Sequence, residues 1–371
     1  DAFRAAFAVA LAEGQALESS LRLGAAAGAL AVSVAGAEPS LPNRSACEEL
    51  AYGRERTLKG AAQCQRPGKV AEAFDDLRFA SRLNSMKERL DLWNGSVDAL
   101  GLLARQGTVR GLNTVFFNYP QHLEGLEPRS VRAALAAAGL QAGGVALRYP
   151  AELRLGGFTN PDAALRDHAA AITIAACQWA QDLGSGEVVV WPQTDGYDYQ
   201  LQVSYPDLWF RAVATFRQVL DSPPCKTLRV SIEFKPTDEI SRFAAVPSTS
   251  AALLFVKEVN RPNFGVTLDF GHLLMAGENP GQSVAMAGSA GKLFGMHLND
   301  GHSRLGAEDG LMFGSIHETA ALEVVLWLQK TKYAGAIYFD TFPHNEDPVR
   351  EAEMNIRKFK SLWRRAEQLR A

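Results

Sequence analysis

From about residue 77 onward the chain alternates short apolar runs with amphipathic stretches, and this rhythm restricts the fold more than any other feature. The runs are Leu77–Leu83, Leu112–Asn118, Gly144–Tyr149, Glu187–Trp191, Leu228–Phe234, Phe264–Phe270, Leu293–Leu298 and Gly335–Phe339. Their spacing, mostly about 30–45 residues, is that of one strand–helix–strand unit. Eight such units close an α/β barrel, the (β/α)8 fold. Helices are predicted over Val131–Ala138, Asp162–Asp182, Tyr205–Leu220, Thr249–Val259, Thr319–Thr331 and Val349–Gln368. The first run is ambiguous, because Phe74–Leu90 can also be drawn as a helix. An open doubly wound sheet normally places a phosphate-binding glycine loop after its first strand. Neither GxGxxG nor GxxxxGK[ST] occurs here.

Four of the later runs end in groups able to do chemistry. They are Ser231–Pro236 (SIEFKP), Thr267–His272 (TLDFGH), Met296–Asp300 (MHLND) and Tyr338–Thr341 (YFDT). In a barrel, strand ends converge on one face, so these groups are expected to gather there. Glu233 and Lys235 are two apart on a strand and point to the same face. A charged pair in that position is costly unless it binds something; the plain alternative is a buried ion pair. Asp269 and His272 form D-x-x-H, which a helix N-cap and a packed histidine explain equally well when read alone. The turn Phe270–Gly271 is expected to swing His272 back over the mouth. His297 precedes a polar loop carrying His302, Arg304, Glu308 and Asp309, and Asp340 closes the last run. Taken together, Glu233, Asp269, His297 and Asp340 make an oxygen-rich set with one nitrogen. That suits Mn²⁺ first, with Mg²⁺ and Co²⁺ compatible, rather than a thiolate-seeking metal.

Composition narrows the partners. The net charge is −3, with 47% hydrophobic and 21% charged residues, ordinary for a globular protein. Nothing here calls for nucleic acid or an anionic membrane surface. No apolar run approaches the roughly 18 residues that span a bilayer. No charged segment followed by an apolar core opens the chain, so a cytoplasmic protein is expected. The cysteines Cys47, Cys64, Cys177 and Cys225 show no CxxC pairing and are expected to be reduced.

With these residues in place, positions 74–368 resemble the xylose isomerase-like superfamily of TIM barrels. It includes metal-dependent aldose–ketose isomerases for xylose and rhamnose, ketose 3-epimerases and, more distantly, endonuclease IV. Glu233-x-Lys235-Pro236, Asp269-x-x-His272, His297-x-Asn299-Asp300 and Asp340 carry the resemblance, which looks most like the rhamnose isomerase branch. It implies that Glu233, Asp269, His297 and Asp340 hold a first divalent metal. His272 with Glu308 and Asp309 would surround a second, and Lys235 would stand beside the substrate oxygens. The catalytic group is then Lys235, His272, Glu233 and Asp340. Trp191, Phe79 and Phe117 are expected to wall a sugar, and Gln193, Asp195 and His122 to read its hydroxyls. The isomerases carry D-x-D in the acidic loop, where this chain has Ala307–Gly310 (AEDG). The 3-epimerases use a glutamate at the last strand, so Asp340 favours the isomerase. A repair nuclease would need a basic groove and more histidines. A sugar sensor without metal is a further alternative. The implied partner is a small sugar, and a homodimer or homotetramer is expected.

Residues 1–55 differ, with Ala- and Gly-rich helical stretches at Ala2–Leu17 and Leu21–Val34 and a turn-rich tail over Gly36–Pro42. DAFRAAF (1–7), GAAAGAL (24–30) and GAEPSLP (36–42) resemble the C-terminal end of a ribokinase-type (PfkB) sugar kinase. Asp1 matches the aspartate that closes the family's Gly-Ala-Gly-Asp motif and acts there as base. The motif's glycines are missing from the sequence, which implies an inactive kinase fragment in a kinase–isomerase fusion. The first residue is not Met, so a longer product is expected. Residues 56–73 read as a linker, and the barrel is expected over 74–371.

Overall fold

A computed structural model of the chain describes residues 2–32, 41–52, 74, 76–238, 240–302, 304, 307 and 309–370. It forms two compact units, residues 1–71 and 72–371. Asp1, the expected linker over 56–73 and most of the Gly36–Pro42 tail lie outside the described residues.

The first unit holds helices α1 (Ala2–Ala12), α2 (Leu17–Ala31) and α3 (Arg44–Tyr52). The first two break earlier than expected. Gly14 takes φ +80°, a left-handed conformation that ends a helix, so the turn falls before Leu17 rather than after it. α3 was not foreseen, although its start is legible: the Asn43 side chain accepts from the Ala46 amide at 2.9 Å. Small residues let these helices meet closely. A Cβ on Gly24 would come within 3.1 Å of Phe3 and Phe7. Ala10, Leu23, Ala27 and Cys47 form the small core.

The second unit is a closed barrel of parallel strands: β1 (Phe79–Arg82), β2 (Thr114–Tyr119), β3 (Gln141–Leu147), β4 (Glu187–Val190), β5 (Arg229–Glu233), β6 (Phe264–Asp269), β7 (Leu293–Leu298) and β8 (Ile337–Phe339). Each expected run supplies one strand, with β3 starting earlier, at Gln141. The first run is a strand, not a helix; it passes directly into a 3₁₀ turn at Leu83–Lys87. Strands covered on both faces are apolar almost throughout. Their side chains still alternate. Ala80, Phe116, Ala146, Val189, Ala336 and Tyr338 fill the barrel interior, while neighbours such as Phe79, Phe117, Val145 and Val188 join the core beneath the helices.

The helices are α4 (Ala99–Gln106), α5 (Pro128–Ala138), α6 (Ala163–Asp182), α7 (Tyr205–Asp221), α8 (Thr249–Val259), α9 (Phe270–Met275), α10 (Pro280–Ser289), α11 (Glu318–Lys330) and α12 (Pro348–Arg370). α4, α9 and α10 were not foreseen. α4 and α10 begin at side-chain caps, Asp98 and Asn279, that mark them in sequence. Among the described residues no helix is long and apolar enough to cross a membrane.

Two expectations are corrected. Cys177 and Cys225, 48 residues apart, are joined as a disulfide with Cα atoms 5.4 Å apart. α6 and the turn after α7 are neighbours in the ring, a proximity that sequence separation hides. Phe79 and Phe117 do not face the mouth. Strand alternation turns them outward, where Phe79 stacks near Phe339 and meets Phe359 of α12 edge-on.

Candidate metal centre

Alternation along β5 to β8 decides which groups look inward. Glu233 ends β5, Asp269 ends β6, His297 lies within β7 and Asp340 follows β8. Asp269 pairs in register with His297, and His297 with Tyr338. One ligand atom from each of Glu233, Asp269, His297 and Asp340 lies within 4.8 Å of the others. The first three are buried; the Asp340 side chain is 13% exposed. A divalent cation fits this set. The donors are three carboxylates and one imidazole, and Asp340 Oδ1 is buried without a hydrogen-bond partner.

The surroundings orient these groups. Asp269 accepts from the His272 amide at 3.0 Å through Oδ1 and from Asn299 Nδ2 at 2.9 Å through Oδ2. It therefore caps α9 and still faces the cluster, so the two readings of D-x-x-H hold together. His272 stands in the first turn of α9, not beyond a free turn at Phe270–Gly271. Its Nδ1 donates to the Phe234 carbonyl at 3.0 Å, and its Nε2 lies 3.5 Å from Asp309. Lys235 Nζ donates to Asp309 at 3.2 Å and lies 3.9 Å from Asp238. The absence of a side chain on Gly271 matters here: a Cβ would come within 2.8 Å of both Asn299 Oδ1 and the Asp309 side chain.

Electrostatics follow from burial and crowding. Burial works against a charged Glu233, yet the positive charges of His297 and His272 prevail and hold it well below the usual carboxylate range. Burial also opposes charge on His297, but Glu233, 3.1 Å away, lifts it to about 9. Asp269 is pushed up to about 6 by burial, against the attraction of His272 and with repulsion from Glu233 and Asp340. His272 rises to about 8 despite burial, because Asp269, Asp309 and Glu233 surround it.

The remaining expected residues are dispersed. Glu308 lies outside the described residues. Asp309 reaches Lys235 and His272 but not the four-ligand group. Trp191 and Gln193 line a cavity of about 20 Å³ beside Lys235, room for about one water. Gln193 donates to Asp238 at 3.1 Å. Asp195 lines the same cavity, and its carboxylate accepts from the amides of Gly157, Phe158 and Thr159 and from the Thr159 hydroxyl. His122 is likewise saturated. Its Nδ1 accepts from the Asn118 amide at 2.9 Å, which leaves Nε2–H to donate to Asn84 Oδ1 at 2.9 Å. Burial pushes its imidazole down to about 3, helped by the charges of Lys87, Arg148 and Arg82, so it is neutral. Asp300 holds the following loop by accepting from the Ile316 and His317 amides, each at 2.8 Å, and from His317 Nδ1. Arg82 and Arg148 went unnoticed in sequence, although each extends the inward-facing alternation, after Ala80 and Ala146.

The carboxylate–histidine cluster thus lies at the C-terminal ends of the barrel strands, where barrel enzymes place their active sites. Residues 110–362 match the model of the xylose isomerase-like TIM barrel family, and the chain belongs to that family. Residues 1–44 match the pfkB family of carbohydrate kinases. A xylose isomerase from Thermus thermophilus is 32% identical over 190 residues, which cover 50% of this chain and 48% of that protein. The chain thus spans about half the length of the curated relatives it matches. Among solved structures, an L-ribulose 3-epimerase superposes with a TM-score of 0.60 at 18% identity, covering 80% of this chain and 98% of the other. An IolI protein with a bound zinc atom gives 0.59 at 15% identity over 78% of this chain and 99% of the other. These two likenesses concern the fold.

Proposed function

We propose that the barrel is a metal-dependent aldose–ketose isomerase, acting by a hydrogen shift between neighbouring carbons of a sugar. The observation that carries the reading is the convergence of Glu233, Asp269, His297 and Asp340 within 4.8 Å, with Lys235 close by. The xylose isomerase relative supports it. Glu233, Asp269, His297 and Asp340 would hold the cation, Mn²⁺ by preference, with Mg²⁺ or Co²⁺ as substitutes. When bound, a divalent cation polarises sugar oxygens and offsets the charge that develops on them.

The chain's own groups supply the rest. Asn299 fixes the Asp269 carboxylate. Lys235, kept charged against burial by Asp309 and Asp238, donates to a substrate oxygen. His272 Nε2 lies 3.5 Å from Asp309 beside it. Trp191 offers an apolar face to the sugar. A second reading, a ketose 3-epimerase, draws on one observation: Glu233 and Asp340 are two carboxylates in the same cluster, as proton exchange at C3 requires. Glu233→Ala should weaken Mn²⁺ binding at least about 100-fold and abolish turnover that EDTA also removes. Turnover at the wild-type rate in this variant contradicts the scheme.

A further inference from the structure

The mouth has two unlike sides. β5 to β8 bring the ligand cluster. β1 to β4 bring cations and hydrogen-bond donors that nothing inside the protein uses fully. Arg82, on the inward alternation of β1, lies 3.4 Å from Asp340, yet its Nε is buried and makes no hydrogen bond. Its guanidinium is 4.5 Å from the centre of the Phe342 ring. Arg148, just past β3, sits 4.6 Å over the Trp191 ring and donates to the Leu147 carbonyl at 2.9 Å. Among the described residues it forms no ion pair. Trp191 Nε1 is a second buried donor with no acceptor. Asn118, on β2 between the two arginines, leads to His122, and that ring feels Lys87, Arg148 and Arg82 together. The ring is itself neutral, so positive charge gathers on this side of the mouth.

Buried donors without partners are costly, and a ligand rich in acceptor oxygens satisfies them. Arginines set over aromatic rings keep their N–H groups, whose fork matches the paired oxygens of a phosphate or carboxylate. A neutral sugar supplies hydroxyls but no charge for Arg148. We propose that the substrate is an anionic sugar, bearing a phosphate ester or a carboxylate, whose charged group is seated by Arg148 with Arg82 beside it. This rests on the sugar-isomerase reading and adds the class of substrate. Arg148 is then a specificity-determining residue.

The test is calorimetric titration of the full chain loaded with Mn²⁺, using D-fructose, D-fructose 6-phosphate and D-glucuronate, on the wild type, Arg148→Met and Arg148→Lys. At least one anionic sugar should bind 10-fold or more tightly than fructose, and which of the two does so distinguishes phosphate from carboxylate. Arg148→Met should remove that preference while leaving Mn²⁺ affinity unchanged, which shows the site still folded. Arg148→Lys should keep part of it. Fructose binding as tightly as both anionic sugars, no binding by either of them, or a preference that survives Arg148→Met would overturn the anion seat alone. Failure of the wild type to bind Mn²⁺ would overturn the metal reading beneath it.

Discussion

Asn299 illustrates how much depends on a residue outside the candidate ligand set. It clamps Asp269 and the Gly271 amide at once. Asn299→Ala should therefore weaken Mn²⁺ binding about 10–100-fold and, by stranding the buried Gly271 amide, cost about 1–3 kcal/mol of stability, read by calorimetry alongside urea unfolding. The cluster also couples metal uptake to protons. His297, raised to about 9, and Asp269, raised to about 6, must both be deprotonated to bind a cation. Affinity should rise with pH between about 6 and 9, with protons released on binding; a pH-independent affinity would contradict this. Glu187, deep in the barrel, is pushed by burial to about 7 although Arg229 opposes it. A carboxyl raised above its unfolded value favours the fold at low pH, and that contribution fades as pH climbs from about 4.5 through 7. Glu187→Gln should remove about 2–3 kcal/mol of that pH-dependent loss in urea titrations at pH 5 and pH 8. Residue types at strand ends were legible in the sequence. The partners that saturate Asp195 and His122 were not, because they come from amides some 36 residues away in one case and from a neighbouring loop in the other.

At the level of elements, the eight runs were readable because parallel strands covered on both faces are almost wholly apolar. That same uniformity hid their facing. Nothing in the run containing Phe116 and Phe117 states which ring looks inward; closure of the barrel decides it. The loop after β7 shows a further limit. Glu308 and Asp309 read as its ligands, while the structural part of Asp300, which holds the loop by accepting from the Ile316 and His317 amides, had no signal in the sequence. Asp300→Ala strands these donors and should cost about 2–4 kcal/mol in unfolding free energy, while loosening Asp309 against Lys235. An unchanged urea midpoint would show that the loop is held by other means.

For the whole molecule, the four candidate ligands span more than a hundred residues of sequence and meet only because consecutive strands close into a ring. The recurrence of carboxylate and imidazole at successive strand ends was therefore a better guide than any single motif. The barrel unit, residues 72–371, has its own hydrophobic core. Removal of residues 1–71 should leave Mn²⁺ binding within about 3-fold of the full chain, an expectation that calorimetry checks. The central claim is best tested by chromatographic product analysis of the full chain with Mn²⁺, offered aldoses, ketoses and their phosphorylated or acidic forms. The account predicts Mn²⁺-dependent interconversion of an aldose with its 2-ketose, suppressed by EDTA and absent in Glu233→Ala. Conversion of one ketose into its C3 epimer, with no aldose formed, would contradict the isomerase and establish the epimerase in its place.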